Sequence, residues 1–234
     1  MLTCLNSDFD AFISRYENLL MLFNCMKDSS NDIKIQTIKI LGRLTPHNPQ
    51  QILPYLRNLI VSLISQLEHS HSYKEREEAA KLIKAFVRYN RDLSKSYAQS
   101  ILNCLFQRID QDKKQKISTP FISALLDVMR EISIVDPDAT KPYIGKIFPL
   151  ILESVKDQSD YQKREVGLNT LIAIIENTGF VVKPYFFYPE LLTIIRNLVK
   201  SEKEGQVRKL VLKLIGTLGA VDPYLINQII LYHK

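Results

Sequence analysis

A tyrosine that returns about every forty residues is the feature of this chain that most narrows its fold. It stands at Pro54-Tyr55, Ser96-Tyr97, Pro142-Tyr143, Pro184-Tyr185 and Pro223-Tyr224, at intervals of 42, 46, 42 and 39 residues. A degenerate copy at Tyr16 adds another interval of 39. Periods of roughly 40–47 residues belong to two-helix units that stack on one another.

The residues after each tyrosine test that reading. Offsets of +1, +4, +5, +8, +9 and +12 trace one stripe of an α-helix. From Tyr55 they give Leu56, Leu59, Ile60, Leu63, Ile64 and Leu67; from Tyr97, Ala98, Ile101, Leu102, Leu105, Phe106 and Ile109. From Tyr143 they give Ile144, Ile147, Phe148, Ile151, Leu152 and Val155. All 18 are apolar, where a 46% hydrophobic composition would place about 8 there by chance. The copy after Tyr185 runs two residues late, through Leu191, Leu192, Ile195, Leu198 and Val199.

Each of these helices runs into a polar turn, at 27–31, 69–72, 110–114, 157–160 and 201–205, and a second amphipathic stretch follows. The last is the clearest: Val207, Leu210, Val211, Leu214, Ile215 and Leu218. Asp136-Pro137 and Asp222-Pro223 read as helix starts, because aspartate accepts from unpaired first-turn amides and proline has none to waste there. The expected fold is all-α, an α-solenoid of about five stacked HEAT-type helix pairs. Residues 1–13 read as an N-terminal extension, 14–221 as the repeat array and 222–234 as the start of a further, incomplete pair. Such a start suggests a piece of a longer array or an end completed by a partner. Only 7 glycines and 10 prolines occur, which leaves few turn residues for a hairpin-rich β fold.

Charge narrows the partners. The net charge is +6, but acids dilute the bases in every stretch and no arginine-rich tract occurs, so phosphate binding by counterion release is disfavoured. No apolar run is long enough to cross a bilayer, and no membrane insertion is expected. Three scattered cysteines, Cys4, Cys25 and Cys104, read as reduced thiols in the cytoplasm.

Motifs for chemistry are missing. There is no phosphate-binding glycine loop, zinc-protease motif, kinase catalytic loop or nucleophile elbow. No catalytic residue, cofactor, metal or small-molecule substrate is expected. Gly216-Thr217-Leu218-Gly219 reads as close helix packing, His69 and His71 as turn residues, and Glu75, Glu77, Glu78 with Lys74, Arg76 and Lys81 as a solvated helix start. In the run Tyr185, Phe186, Phe187 and Tyr188 four consecutive rings cannot all enter one helical stripe, so some meet the neighbouring unit of the array or a partner; the run is the candidate partner surface, with packing inside the array as the other reading.

Several blocks of the chain resemble the HEAT-repeat region of the target-of-rapamycin (TOR) family of serine/threonine-protein kinases. The strongest runs from Lys163-Arg164-Glu165-Val166 through Thr178-Gly179-Phe180 to Pro184-Tyr185, then Tyr188-Pro189-Glu190-Leu191-Leu192 and Arg208-Lys209 to Asp222-Pro223-Tyr224. Gly42-Arg43-Leu44, Asn48-Pro49 and Leu67-Glu68-His69-Ser70 form an earlier block. The resemblance spans about 24–224; Gln111–Pro120 and the segment after Tyr224 depart from it. The family's kinase domain, rapamycin-binding bundle and FAT region are absent. The resemblance implies a non-catalytic scaffold in a cytoplasmic growth-signalling complex, peripheral to endomembranes, that binds an adaptor subunit of the Raptor type and supports a homodimer contact. A free-standing HEAT adaptor and, further off, a nucleic-acid-binding helical repeat are the alternatives.

Overall fold

The computed structural model describes residues 7–112, 119–179 and 187–219, and all regular structure among them is helical. The fold is an all-α solenoid of consecutive helix pairs. Two compact units divide it, Met1–Glu131 and Ile132–Lys234.

The first unit opens with α1 (Ser7–Ile13), followed by the pairs α2 (Tyr16–Cys25) with α3 (Asn31–Leu44) and α4 (Pro49–His69) with α5 (Tyr73–Tyr89). A short α6 (Arg91–Lys95) leads to α7 (Ala98–Asp112) and α8 (Thr119–Val135), whose last turn passes into the second unit. Within the first unit α3 packs on α5 and α4 packs on α7, so second helices lie on second helices and first on first. The second unit contains α9 (Pro137–Thr140), a 3-10 turn (Lys141–Tyr143), α10 (Ile144–Lys156) with α11 (Tyr161–Thr178), and α12 (Glu190–Ser201) with α13 (Gly205–Gly219). There α10 packs on α11 and α12, and α13 packs on α11 and α12. The described residues thus hold five main helix pairs, the number the repeat implied.

Side-chain burial follows the sequence stripe. Of the 18 apolar positions after Tyr55, Tyr97 and Tyr143, only Leu59 and Ile64 are half-buried; the rest are buried. Removing each fully buried leucine, isoleucine, valine or phenylalanine among them from water is worth about 1.5–3 kcal/mol, so the shared seam supplies the main drive for folding. In α11, Leu168 and the run Thr170–Ile175 are all buried, because that helix touches α9, α10 and α13 together. Ile215, on the edge of the α13 stripe, is exposed.

Local chemistry sets the helix starts. Asp136 accepts from the Ala139 amide at 3.0 Å with Pro137 following, as the Asp-Pro reading anticipates. Asp160 caps α11 through the amides of Gln162 and Lys163, and Ser72 caps α5. Tyr55 lies inside α4, because Asn48 and Pro49 supply an upstream cap and first turn. Pro54 is tolerated there since the carbonyl it leaves without a donor, that of Gln50, belongs to an exposed residue. Asp222-Pro223 and the segment 222–234 lie outside the described residues.

Two glycines sit where helices meet. A Cβ on Gly42 would come within 2.5 Å of the Tyr89 carbonyl oxygen, and one on Gly167 within 2.9 Å of Val155 Cγ2. Gly216 is different: a Cβ there would meet open space, so it is not the close-packing glycine its sequence context indicated. Alanine should therefore act with opposite sign at these sites. We expect Gly42→Ala to destabilise the chain by about 1–3 kcal/mol through forced overpacking. Gly216→Ala should add about 0.5–1 kcal/mol by helix propensity. Urea denaturation followed by circular dichroism checks both signs.

Candidate interaction surface

The repeating aromatic has a definite task at two places. Tyr55 stacks on Phe23 of α2, with centroids 4.0 Å apart and planes 16° apart. Its hydroxyl donates to the Phe23 carbonyl at 3.2 Å, in the last turn of α2, where that carbonyl has lost its i+4 donor and otherwise receives only the Met26 amide. Burial holds the Tyr55 phenol above its ordinary pKa. Tyr188 repeats the arrangement in the second unit, stacked on Phe148 of α10 at 4.3 Å and 12°. Its hydroxyl donates to the Gly145 carbonyl at 3.4 Å. Pro149, four residues further along α10, has no amide hydrogen to give that carbonyl, so the tyrosine supplies the missing donor. In both cases one side chain fixes a helix pair to the ring and backbone of the pair before it.

Ion pairs close the same seams. In the second unit Arg164 Nε and Nη2 grip the two carboxylate oxygens of Glu202 at 2.7 and 3.0 Å, and Nη1 donates to the Asp157 carbonyl at 2.8 Å. Both charged residues are buried. Glu202 also accepts from the amides of Lys203 and Glu204. With Arg164 as the main cause, these donors hold its carboxyl below the ordinary value. Asp157, bound by Ser159 and Lys163, is lowered to about 2. Lys156 pairs with Glu190 at 2.6 Å and Lys213 with Glu176 at 3.0 Å. In the first unit Lys84 pairs with Asp127 at 2.6 Å, and Arg43 ties α1 to α3 through Asp10 at 2.7 Å.

Arg76 departs from its sequence reading. It is 2% exposed, not part of a solvated face; its guanidinium lies 4.2 Å from the Tyr73 ring centroid and 5.5 Å from that of Phe121 on α8. Arg76 and Arg164 each occupy the fourth position of a second helix that begins with tyrosine, in Tyr73-Lys-Glu-Arg76-Glu and Tyr161-Gln-Lys-Arg164-Glu. That recurring Tyr-x-x-Arg-Glu was the available signal for both.

The four-ring run divides. Tyr185 and Phe186 lie outside the described residues, Phe187 is 60% exposed, and Tyr188 is committed to Phe148. A cavity of about 410 Å³ lies beside them, lined by Lys141, Ile144, Gly145, Thr178, Phe187 and Tyr188 among others. A second, of about 560 Å³, opens between the two turns of the second unit over the Arg164–Glu202 pair. His69 ends α4 with its Nδ1 3.0 Å from the Ser65 carbonyl oxygen. Among the described residues no cluster of His, Cys, Asp or Glu is placed to hold a metal ion. Burial and the nearby Glu68 push the Cys104 thiol up to about 11, which suppresses the nucleophilic thiolate. No helix among the described residues is long and apolar enough to cross a membrane.

Comparison with known proteins places this architecture. Residues 181–232 match the family model described as the serine/threonine-protein kinase mTOR domain. The chain is 36% identical over 220 residues, 94% of its length, to the serine/threonine-protein kinase TOR2 of Saccharomyces cerevisiae. It is 34% identical over 96% of its length to tor1 of Schizosaccharomyces pombe, and 32% over 94% to TOR of Arabidopsis thaliana. It spans 9% of the length of each of these relatives.

Two outcomes follow from the seam chemistry. Arg164→Ala, which strands buried Glu202, should cost about 3–5 kcal/mol in a urea unfolding experiment. Glu202 and Asp157 have folded pKa values below their unfolded ones, so their contribution is complete above the unfolded carboxylate range and fades as pH falls through the folded values. The melting temperature should therefore drop as pH is lowered from about 5 towards 2, and the drop should be shallower in Glu202→Gln.

Proposed function

Because the chain is a TOR-family HEAT-repeat region, we propose that it is a non-catalytic scaffold segment, mediating protein–protein contacts in a TOR-type growth-signalling complex in the cytoplasm. The observation that carries this reading is the reach of the match: 36% identity runs through 94% of the chain but takes up only 9% of the relative, a kinase by name. Identity spread over the whole stack fits a part kept for its seams and surfaces. Ordered seams such as Tyr188–Phe148 and Arg164–Glu202 support the same mechanism. Stacked helix pairs offer a wide surface that is ordered before a partner arrives, which lowers the entropic cost of binding.

On this reading the partners are an adaptor subunit of the Raptor type and a second copy in a homodimer. Phe187, exposed at the junction of α10 and α12, is one contact residue for them, together with the other aromatics of the run 185–188. On the same reading residues 1–13 are an N-terminal extension, 14–221 the repeat array and 222–234 the start of a further, incomplete pair.

The purified 234-residue chain should show no phosphotransfer from ATP to a protein substrate. It should bind a purified Raptor-type adaptor measurably by calorimetry, with affinity reduced by Phe187→Ser. Phosphotransfer above background, or an adaptor that ignores the chain, would remove the proposal.

A further inference from the structure

The Tyr-x-x-Arg-Glu start occurs at two second helices, and the pair that follows meets the two differently. In the first unit Phe121 of α8 lies edge-to-face with Tyr73, centroids 6.4 Å apart and planes at 71°. The Arg76 guanidinium reaches both rings, at 4.2 Å from Tyr73 and 5.5 Å from Phe121. Phe121 is the third residue of α8 and opens its buried stripe; the third residue of α13, which opens the corresponding stripe in the second unit, is Val207. Valine supplies no ring. Tyr161 is accordingly 45% exposed, and it makes no ring contact among the described residues.

The cavity of about 560 Å³ opens beside Tyr161, between the turns at 157–160 and 201–205. One wall comes from the α10–α11 turn, with Gln158 and Tyr161; the other comes from α12, with Asn197 and the apolar Leu198. Arg164 lines it as well. Because Nε and Nη2 go to Glu202 and Nη1 to the Asp157 carbonyl, the edge of that guanidinium is committed and a face is what remains. Such a face attracts aromatic rings. The side-chain amides of Gln158 and Asn197 make no hydrogen bond among the described residues, and each can both donate to and accept from an extended backbone. Every lining residue belongs to two pairs already stacked on each other, whereas further pairs of an array add at its ends. The chain beyond Gly179 and Gly219 leaves from the opposite ends of α11 and α13, about 20–25 Å along those helices.

We propose that this groove docks an aromatic side chain carried on an extended segment of a partner protein, its ring set against Tyr161 and the face of Arg164 while Gln158 and Asn197 hold the segment's backbone. The proposal rests on the scaffold reading and deepens it by giving the chemistry that one edge of the array takes. Phe121 is its template: the same tyrosine and arginine, three residues apart at the start of a second helix, hold a ring that the chain itself supplies in the first unit and the partner supplies in the second. A ring is favoured over an aliphatic side chain because it adds an aromatic pair and a cation–π contact to the burial that both would gain.

The 234-residue chain contains no tryptophan, so the indole of an added peptide reports its own surroundings. The probe is acetyl-Gly-Ser-Trp-Ser-Gly-amide, titrated with the chain and followed by tryptophan fluorescence. A saturable blue shift is expected, reversed by the same peptide with phenylalanine at its centre and not by the one with leucine. Tyr161→Ser should weaken binding by about fivefold or more, and Asn197→Ala should weaken it by about twofold or more. Both residues are exposed, and circular dichroism checks that the variants keep their helices. Absence of the shift, equal competition by the leucine peptide, or binding that Tyr161→Ser leaves unchanged overturns the proposal. So does a dimer of the chain that excludes the peptide. If the peptide fails while the Raptor-type adaptor still binds, the groove is refuted and the scaffold reading stands. An adaptor that ignores the chain removes the scaffold reading whatever the peptide does.

Discussion

An apolar seam shared between successive helix pairs is the constraint on which everything else in this chain depends. No pair has a closed core of its own. α10 buries Ile147, Phe148, Ile151 and Leu152 against α11 and α12 together, and α11 is buried almost all round because three elements meet it. Such a design couples neighbours: part of the free energy that holds one pair comes from the next.

Directional contacts then fix how each pair sits on its neighbour. Burial alone is indifferent to a small slide or rotation of a helix; a stacked ring with its hydroxyl on a named carbonyl is not. Tyr55 on Phe23 and Tyr188 on Phe148 give that definition at two seams, one in each unit. The Arg164–Glu202 pair adds a second anchor on the turn side. A buried bidentate pair contributes less to net stability than its Coulomb energy implies, because both charges lose water; its larger effect is on the geometry of the seam. On the proposed scaffold reading, that definition matters more than a deep energy minimum.

The sequence revealed the helices well and the seams less well. The stripes after Tyr55, Tyr97 and Tyr143 predicted burial because a 3.6-residue period is a local property, readable without knowing what covers it. The turns at 27–31, 69–72, 157–160 and 201–205 fall where the helices break, since polar turn residues also act locally. What lay out of reach depends on residues distant in the chain. Tyr188, three residues past the tyrosine that the repeat picked out, makes the stack at its seam, because only its distance to Phe148 decides that. Arg76 and Arg164 look like solvated charges beside their glutamates until Phe121 and Glu202 arrive from the next pair. Pro149 gave no hint that its lost hydrogen bond would be replaced by a phenol. Of the candidate surface, Phe187 stands exposed and Tyr188 does not, a difference that four consecutive aromatics cannot express.

The dependence of one pair on another is most directly measured by hydrogen exchange in Phe148→Ala, read by mass spectrometry. Phe148 belongs to α10, yet its ring is the platform for Tyr188 at the start of the following pair. If the seam is shared, exchange should quicken in residues 190–219 as well as in 144–178, since opening free energies of coupled elements fall together. Faster exchange confined to 144–178, with α12 and α13 as protected as before, would mean that each pair stands alone, and the account would be wrong.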